Sequence, residues 1–199
     1  MGATQMTLPA PILHKTPRGL ITIRPALESD DAQLGALRKE ALTDAPTAFG
    51  ADLSYTAPFE SGYWAEKIRK DAEAGSGLVV VAALAMPTTD GETPAAETLV
   101  GMTGIYRNMG AKSRHSGGIW GVYVQPDFRG QHLVDDMMAL CLIWAKALGL
   151  RMVKLGVASD NPAALRVYMR HGFRVYGVEP AAIHYDGVDV DLVLMTKWI

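Results

Sequence analysis

Cysteine is almost missing from this chain: Cys141 is the only one in 199 residues. A lone thiol excludes an internal disulfide and a thiolate-rich metal site, and it fits a reducing cytoplasm. Surplus charge is missing too. Lys and Arg number 19 against 21 Asp and Glu, a formal charge of −2, so no excess of cations stands ready to neutralise a run of phosphates, and a nucleic acid partner is not expected. No stretch is apolar and long enough to span a bilayer. Near the start, His14, Lys15 and the prolines Pro9, Pro11 and Pro17 interrupt what a secretory segment would need as a continuous apolar run. Met6 stands where a myristoylation signal beginning at Gly2 needs Ser or Thr. A cytoplasmic chain, without membrane contact, is the expectation. Also absent are a Walker A pattern and a G-x-G-x-x-G after a strand, which weighs against the common nucleotide-binding α/β folds.

The composition that remains, 49% hydrophobic and 20% charged, is that of one ordinary well-packed domain. Residues 1–18 mix Pro, Thr and Gly without apolar periodicity and read as a flexible arm, with the domain proper at 19–199. A first strand is expected near 20–24. Ser29, Asp30 and Asp31 offer an N-cap to a helix over about 31–44, whose apolar residues Leu34, Leu37, Ala41 and Leu42 recur at helical spacing. A second helix carries Tyr63, Trp64 and Ile68 and ends near Gly75. Residues 78–85 form a continuous Val-rich run, the mark of a strand buried on both faces. A surface loop is read over 87–97, then strands over 99–107 and 119–124. From Gly130 to Leu148 the apolar residues step by three and four along one buried stripe that includes Cys141, which makes that thiol structural rather than a nucleophile. Strand 152–157, a short helix over 163–170 and strands 173–177 and 190–197 complete an α+β domain, a mixed sheet of about seven strands with about four helices.

Two segments carry chemistry. At residues 119–134 a strand ends at Pro126 and a turn bearing Arg129 and Gly130 opens a long helix. The first amides of a helix lack internal partners and carry the positive end of its dipole, so such a turn can receive a phosphate. Arg129 adds charge and Gly130 permits close approach, yet strand-to-helix turns with an Arg-Gly pair are common, and this one alone does not decide. In the second segment, 161–173, Asn161 could be simply an N-cap, Gly172 a C-cap and Tyr168 a half-buried packing residue.

Taken together, the two segments resemble the GNAT family of N-acetyltransferases. Val124, Pro126, Arg129 and Gly130 fit its "V-x-P-x-x-R-G-x-G-x-G/A" acetyl-CoA segment, and Asn161, Ala164, Tyr168, Gly172 and Phe173 fit its "N-x-x-A-x-x-x-Y-x-x-x-G-F" segment. Ile23-Arg24-Pro25 and residues 192–195 resemble the family's first and last strands. The resemblance implies that the fourth and fifth strands splay apart and that acetyl-CoA is the co-substrate, with no metal. The pantetheine arm would pair with Val122, Tyr123 and Val124, and the pyrophosphate would sit on the amides of Arg129, Gly130, Gln131, His132, Leu133 and Val134. Asn161 would bond the pantetheine region, with Ala164 and Tyr168 beside the cofactor, and Tyr168 would protonate the departing thiolate. A neutral primary amine would attack the thioester directly in a ternary complex, with fourth-strand amides stabilising the oxyanion. The acceptor could be a small-molecule amine or a protein N-terminus, and the resemblance allows a homodimer.

His132 and Val134 stand where the pattern has Gly and Gly or Ala. Both are expected to keep helical backbone angles and leave every amide free, with Asp135 and Asp136 complementing the helix dipole. The same substitutions motivate the alternative of a catalytically inactive GNAT-fold sensor of CoA. The fourth strand offers no carboxylate, so no general base is assigned. His115, Glu40 and Asp52 are the nearest candidates, and Arg107 and Arg114 could recognise an acidic acceptor.

Overall fold

The computed structural model describes residues 8–85 and 96–199. Eight strands form one sheet: β1 (Ile12–Thr16), β2 (Gly19–Pro25), β3 (Gly77–Ala85), β4 (Glu97–Arg107), β5 (Ser116–Val124), β6 (Met152–Ala158), β7 (Arg174–Tyr185) and β8 (Val188–Trp198), in the order β1-β2-β3-β4-β5-β6-β8-β7. Four α-helices, α1 (Asp31–Asp44), α2 (Tyr63–Ala74), α3 (Leu133–Ala147) and α4 (Pro162–Arg170), cover it. The α+β reading stands, with one strand more than expected. That extra strand, β1, lies within the stretch read as an arm and pairs antiparallel with β2 from Ile12↔Ile23 to Thr16↔Gly19. The loop read over 87–97 falls outside the described residues except for its last two.

β3 shows why the sheet can carry helices on both faces. Leu78, Val80 and Ala82 point into a core with α3 and α4, built around Met137, Met138, Leu140, Cys141 and Trp144. Val79, Val81 and Ala83 point into a second core with Leu34, Leu37, Ala41 and Trp64 of α1 and α2. Residues of one strand alternate between faces, so an unbroken apolar run serves both. Cys141 is fully buried in the first of these cores, and burial pushes its thiol well above the usual range. It is a packing residue.

Three local outcomes depart from simple reading. Asp30 precedes α1 but its carboxylate does not cap it. It accepts instead from Arg24 at 2.7 and 3.0 Å and from the Leu27 amide at 2.8 Å, while Arg24 also reaches Glu97, tying β2, β4 and the start of α1 together. Asp31, the first residue of α1, caps α2 across the gap by accepting from the amides of Gly62, Trp64 and Ala65. β7 runs on to Tyr185, well past the end expected at 177. Glu179-Pro180 reads as a stop, but β7 is an edge strand with a register shift between Glu179 and Ile183, where a missing amide hydrogen and an irregular backbone are tolerated.

The parallel pair at the middle of the sheet positions everything that follows. β5 and β6 are joined only at Ser116↔Met152, Gly117↔Val153 and Gly118↔Lys154. Beyond these three pairs they diverge, as expected for the fourth and fifth strands of the resemblance, and the backbone of β5 from Ile119 onward loses its partner on that side.

Candidate active site

The divergence opens a cavity of about 550 Å³, walled by Ile119–Val124 of β5, residues 155–158 of β6, the turn at 128–135 and one side of α4. Of the residues named from sequence, Val122, Tyr123, Val124, Arg129, Gly130, Gln131, His132, Leu133, Val134, Asn161, Ala164 and Tyr168 all line it. Segments some forty residues apart in sequence therefore share one cleft.

The turn into α3 is built to leave amides free. Gly130 has φ 74°, and a Cβ placed there would meet nothing within 4 Å, so glycine is needed for the left-handed backbone and not for space. His132 has φ 61°. The expectation that it keeps helical angles is therefore wrong, whereas Val134 lies within α3 as expected. Left-handed residues either side of Gln131 turn successive N–H groups to one side, the geometry of an anion-binding nest. No amide from Gly130 to Val134 donates to a protein acceptor among the described residues. The first one used is that of Asp135, which bonds the His132 carbonyl at 3.0 Å. Histidine is one of the few side-chain-bearing residues that enters this region at all readily. Its ring is exposed and reaches Asp135 at 3.1 Å.

Neither aspartate beside the turn confronts it with free negative charge. Asp135 accepts from Arg170 at 2.9 and 3.0 Å and lies 3.2 Å from the His171 ring, so the start of α3 is bonded to the end of α4. Burial works against ionisation of Asp135, but the hydrogen bonds from Arg170, His132 and His171 outweigh it and hold the carboxyl below its usual range. Asp136 bonds His14 of β1 at 2.7 Å. Arg129 is turned toward α1: its Nε donates to the Val124 carbonyl at 3.0 Å, a terminal nitrogen bonds Asp44, and its plane lies over Tyr123.

On β5, Gly121 has φ 65° inside a register shift, so that Met102 pairs with Tyr123 while Gly104 pairs with Trp120. The bulge redirects the strand where it borders the cavity. A Cβ at Gly121 would lie 3.8 Å from Arg38, an ordinary contact, so the backbone angle is what calls for glycine. Tyr168 of α4 is 5% exposed, packs edge-on against Phe173 and lines the cavity; burial raises its hydroxyl well above the usual tyrosine range. Asn161 does cap α4, accepting from the Ala164 amide at 3.0 Å, which leaves its NH2 group uncommitted.

The residues weighed for base or acceptor roles separate. His115, Arg114 and Arg107 lie at the paired end of β5, away from the opening, and none lines the cavity. Asp52 is occupied by the Ser54 amide at 2.7 Å. Glu40 accepts from Tyr123 at 3.1 Å and Gln125 at 2.8 Å. Burial, reinforced by the charges of Glu40 and Asp44, raises the Tyr123 hydroxyl and keeps it protonated. Sequence reasoning missed Arg38, Phe49 and Trp120. Phe49 and Trp120 line the cavity, with Arg38 over the Phe49 ring.

A splayed parallel pair, a bulge beside it and a nest of free amides at a helix start together form one cleft suited to a long anionic ligand. Residues 51–173 match the sequence profile of the Acetyltransferase (GNAT) family, and the chain belongs to that family. It is similar to the mycothiol acetyltransferase of Brachybacterium faecium, 35% identical over 81 residues, a stretch that is 41% of this chain and only 24% of that relative. In fold it is similar to a GNAT-family acetyltransferase from Streptococcus pneumoniae (TM-score 0.72, 23% identity, 90% of this chain and 99% of the other). It is likewise similar to yncA of Salmonella typhimurium, solved with its cofactor acetyl-CoA (TM-score 0.72, 19% identity, 89% and 93%). At these identities the structural likeness is one of fold. Among the described residues no group of His, Cys, Asp and Glu has the makings of a metal site, and no helix is long and apolar enough to cross a membrane.

Proposed function

We propose that the protein is an N-acetyltransferase that moves an acetyl group from acetyl-CoA to a primary amine by direct attack in a ternary complex. The observation that carries this is the row of amides from Gly130 to Val134, none of which donates to an acceptor among the described residues and all of which belong to residues lining the cavity. Such a row fits a pyrophosphate and has no purpose in packing. It also weakens the sensor alternative, because His132 adopts a left-handed angle of the kind glycine favours and leaves the amides available.

Acetyl-CoA, when bound, supplies the acetyl group as an activated thioester. The unpaired edge of β5 at 122–124 offers main-chain groups to the pantetheine arm. Amides around the Gly121 bulge face the developing negative charge on the carbonyl oxygen. As the nitrogen–carbon bond forms and the carbon–sulfur bond breaks, the amine loses a proton to water and the sulfur gains one. Tyr168 is the donor to that sulfur, and the proton the amine has released to water returns to the tyrosine as the products leave, so that no tyrosinate remains. Its burial means that it always carries its proton at neutral pH, so it acts first as a hydrogen-bond donor to the departing sulfur.

Calorimetric titration with acetyl-CoA and, separately, with CoA tests the cofactor site without knowledge of the acceptor. Saturable binding of one ligand per chain is expected. No binding at millimolar ligand would overturn the assignment, and consumption of acetyl-CoA with any member of an amine panel would exclude the non-catalytic alternative.

A further inference from the structure

Four arginines of this protein have carboxylate partners among the described residues. Arg24 has Asp30 and Glu97, Arg129 has Asp44, Arg170 has Asp135 and Arg18 has Asp127. Arg38 of α1 is different. Its guanidinium lies 4.9 Å over the Phe49 ring, one of its terminal nitrogens (Nη1) is buried without a hydrogen-bond partner, and it enters no ion pair among the described residues. Burial pulls its pKa below the usual arginine value, but an arginine stays a cation at any working pH. A half-buried cation with one nitrogen left unpartnered carries a desolvation cost, and that cost is relieved when a counter-ion arrives.

Its location says which counter-ion. The unpartnered nitrogen is 3.8 Å from where a Cβ of Gly121 would be, and Gly121, Phe49 and Trp120 line the cavity, with Arg38 adjoining that lining from behind. The cation therefore sits against the bulge of β5, on the side of the cleft opposite the amides of the α3 turn. The next cation along, Lys67, is already paired with Asp71 at 2.8 Å and lies over Trp120. Tyr63 is the neighbouring polar group. Burial raises its hydroxyl, and hydrogen bonding with Tyr55 adds to that, so it stays neutral and cannot serve as the counter-charge.

We propose that Arg38 binds a carboxylate of the acceptor, so that the substrate class is an amine bearing a carboxylate a few bonds from its nitrogen, with an apolar portion against Phe49 and Trp120. An apolar α-amino acid has this chemistry. The proposal rests on the acetyltransferase reading and deepens it. A planar guanidinium matches a carboxylate with two parallel hydrogen bonds, which fixes the amine as well as holding it.

The test compares matched pairs that differ only in charge: apolar amino acids against their carboxamides as acceptors, and the N-acetylated acids against the N-acetylated carboxamides as ligands in the presence of CoA. In the parent protein kcat/KM should favour the acid by at least about tenfold, and calorimetry should give the same order for the acetylated pair. In Arg38→Gln that ratio should fall toward one, and Arg38→Lys should restore part of it. Equal use and equal binding of acid and carboxamide by the parent would overturn the proposal while leaving the acetyltransferase reading intact. An undiminished ratio in Arg38→Gln would also overturn it. If no amine is acetylated, the activity reading fails, and the calorimetric pair still decides whether a carboxylate is bound. That comparison needs only the parent protein, so a variant that folds poorly does not spoil it.

Discussion

The turn at the start of α3 and the wall beneath α1 lie on either side of β5, and the proposed site would work through backbone at the first and through side chains at the second. At the turn, five amides are left free by left-handed residues at Gly130 and His132, and the charged side chains nearby are committed elsewhere: Arg129 to Asp44, Asp135 to Arg170, Asp136 to His14. At the α1 wall the groups nearest the cleft are the Phe49 and Trp120 rings, with the Arg38 guanidinium over Phe49, and these are what we propose the acceptor meets. A backbone site tolerates changes of side chain but not of dihedral angle. A side-chain site has the opposite sensitivity.

That contrast orders the expected effects. Tyr168, which lines the cavity and is the proposed donor to the departing sulfur, has the largest. Tyr168→Phe should lower kcat by about 100-fold with acetyl-CoA affinity nearly unchanged, and an unaltered kcat would remove it from the acid role. Gly130→Val should weaken acetyl-CoA by about tenfold in calorimetry, since a β-branched residue held at positive φ either strains the turn or redirects its amides. Arg129→Ala should weaken it less, by about two- to threefold, because its guanidinium is already bonded within the protein. If the arginine change proved the more damaging of the two, the turn would be a side-chain site after all. Smallest is His132→Gly, which should keep acetyl-CoA affinity and alter stability by about 1 kcal/mol or less in thermal unfolding, relief of backbone strain being offset by the more flexible unfolded chain and the lost contact to Asp135.

How much of this could be read in advance follows the same division. The run Val124-Gln125-Pro126-Asp127-Phe128-Arg129-Gly130 dictates its own local geometry, as does Asn161-Pro162 at the start of α4, so the turn and the α4 cap were legible together with the strands leading to them. The cavity lining carries every residue that those segments suggested for cofactor contact. His132 was misread because a histidine gives no local sign of a left-handed angle. Arg38 and Phe49 were invisible for another reason. Between them lie the end of α1 and Pro46, and only the tertiary course of the chain, set partly by Asp31 gripping the start of α2, folds the ring onto the guanidinium. β1 was lost to the same kind of effect: a strand whose pattern is weak by itself forms when β2 offers an open edge and His14 finds Asp136.

The bond from Asp135 to Arg170 and His171 has a consequence for how a ligand enters. β5 and β6 are held at one end by three residue pairs, and on the helical side of the opening this ion pair bridges the two elements that flank it, like a bar across the jaws of a peg. With both ends fastened, the width of the gap is set before anything arrives. A long, thin ligand then has to thread in from the rim and finds its contacts already spaced, so little of the binding free energy goes into ordering the protein.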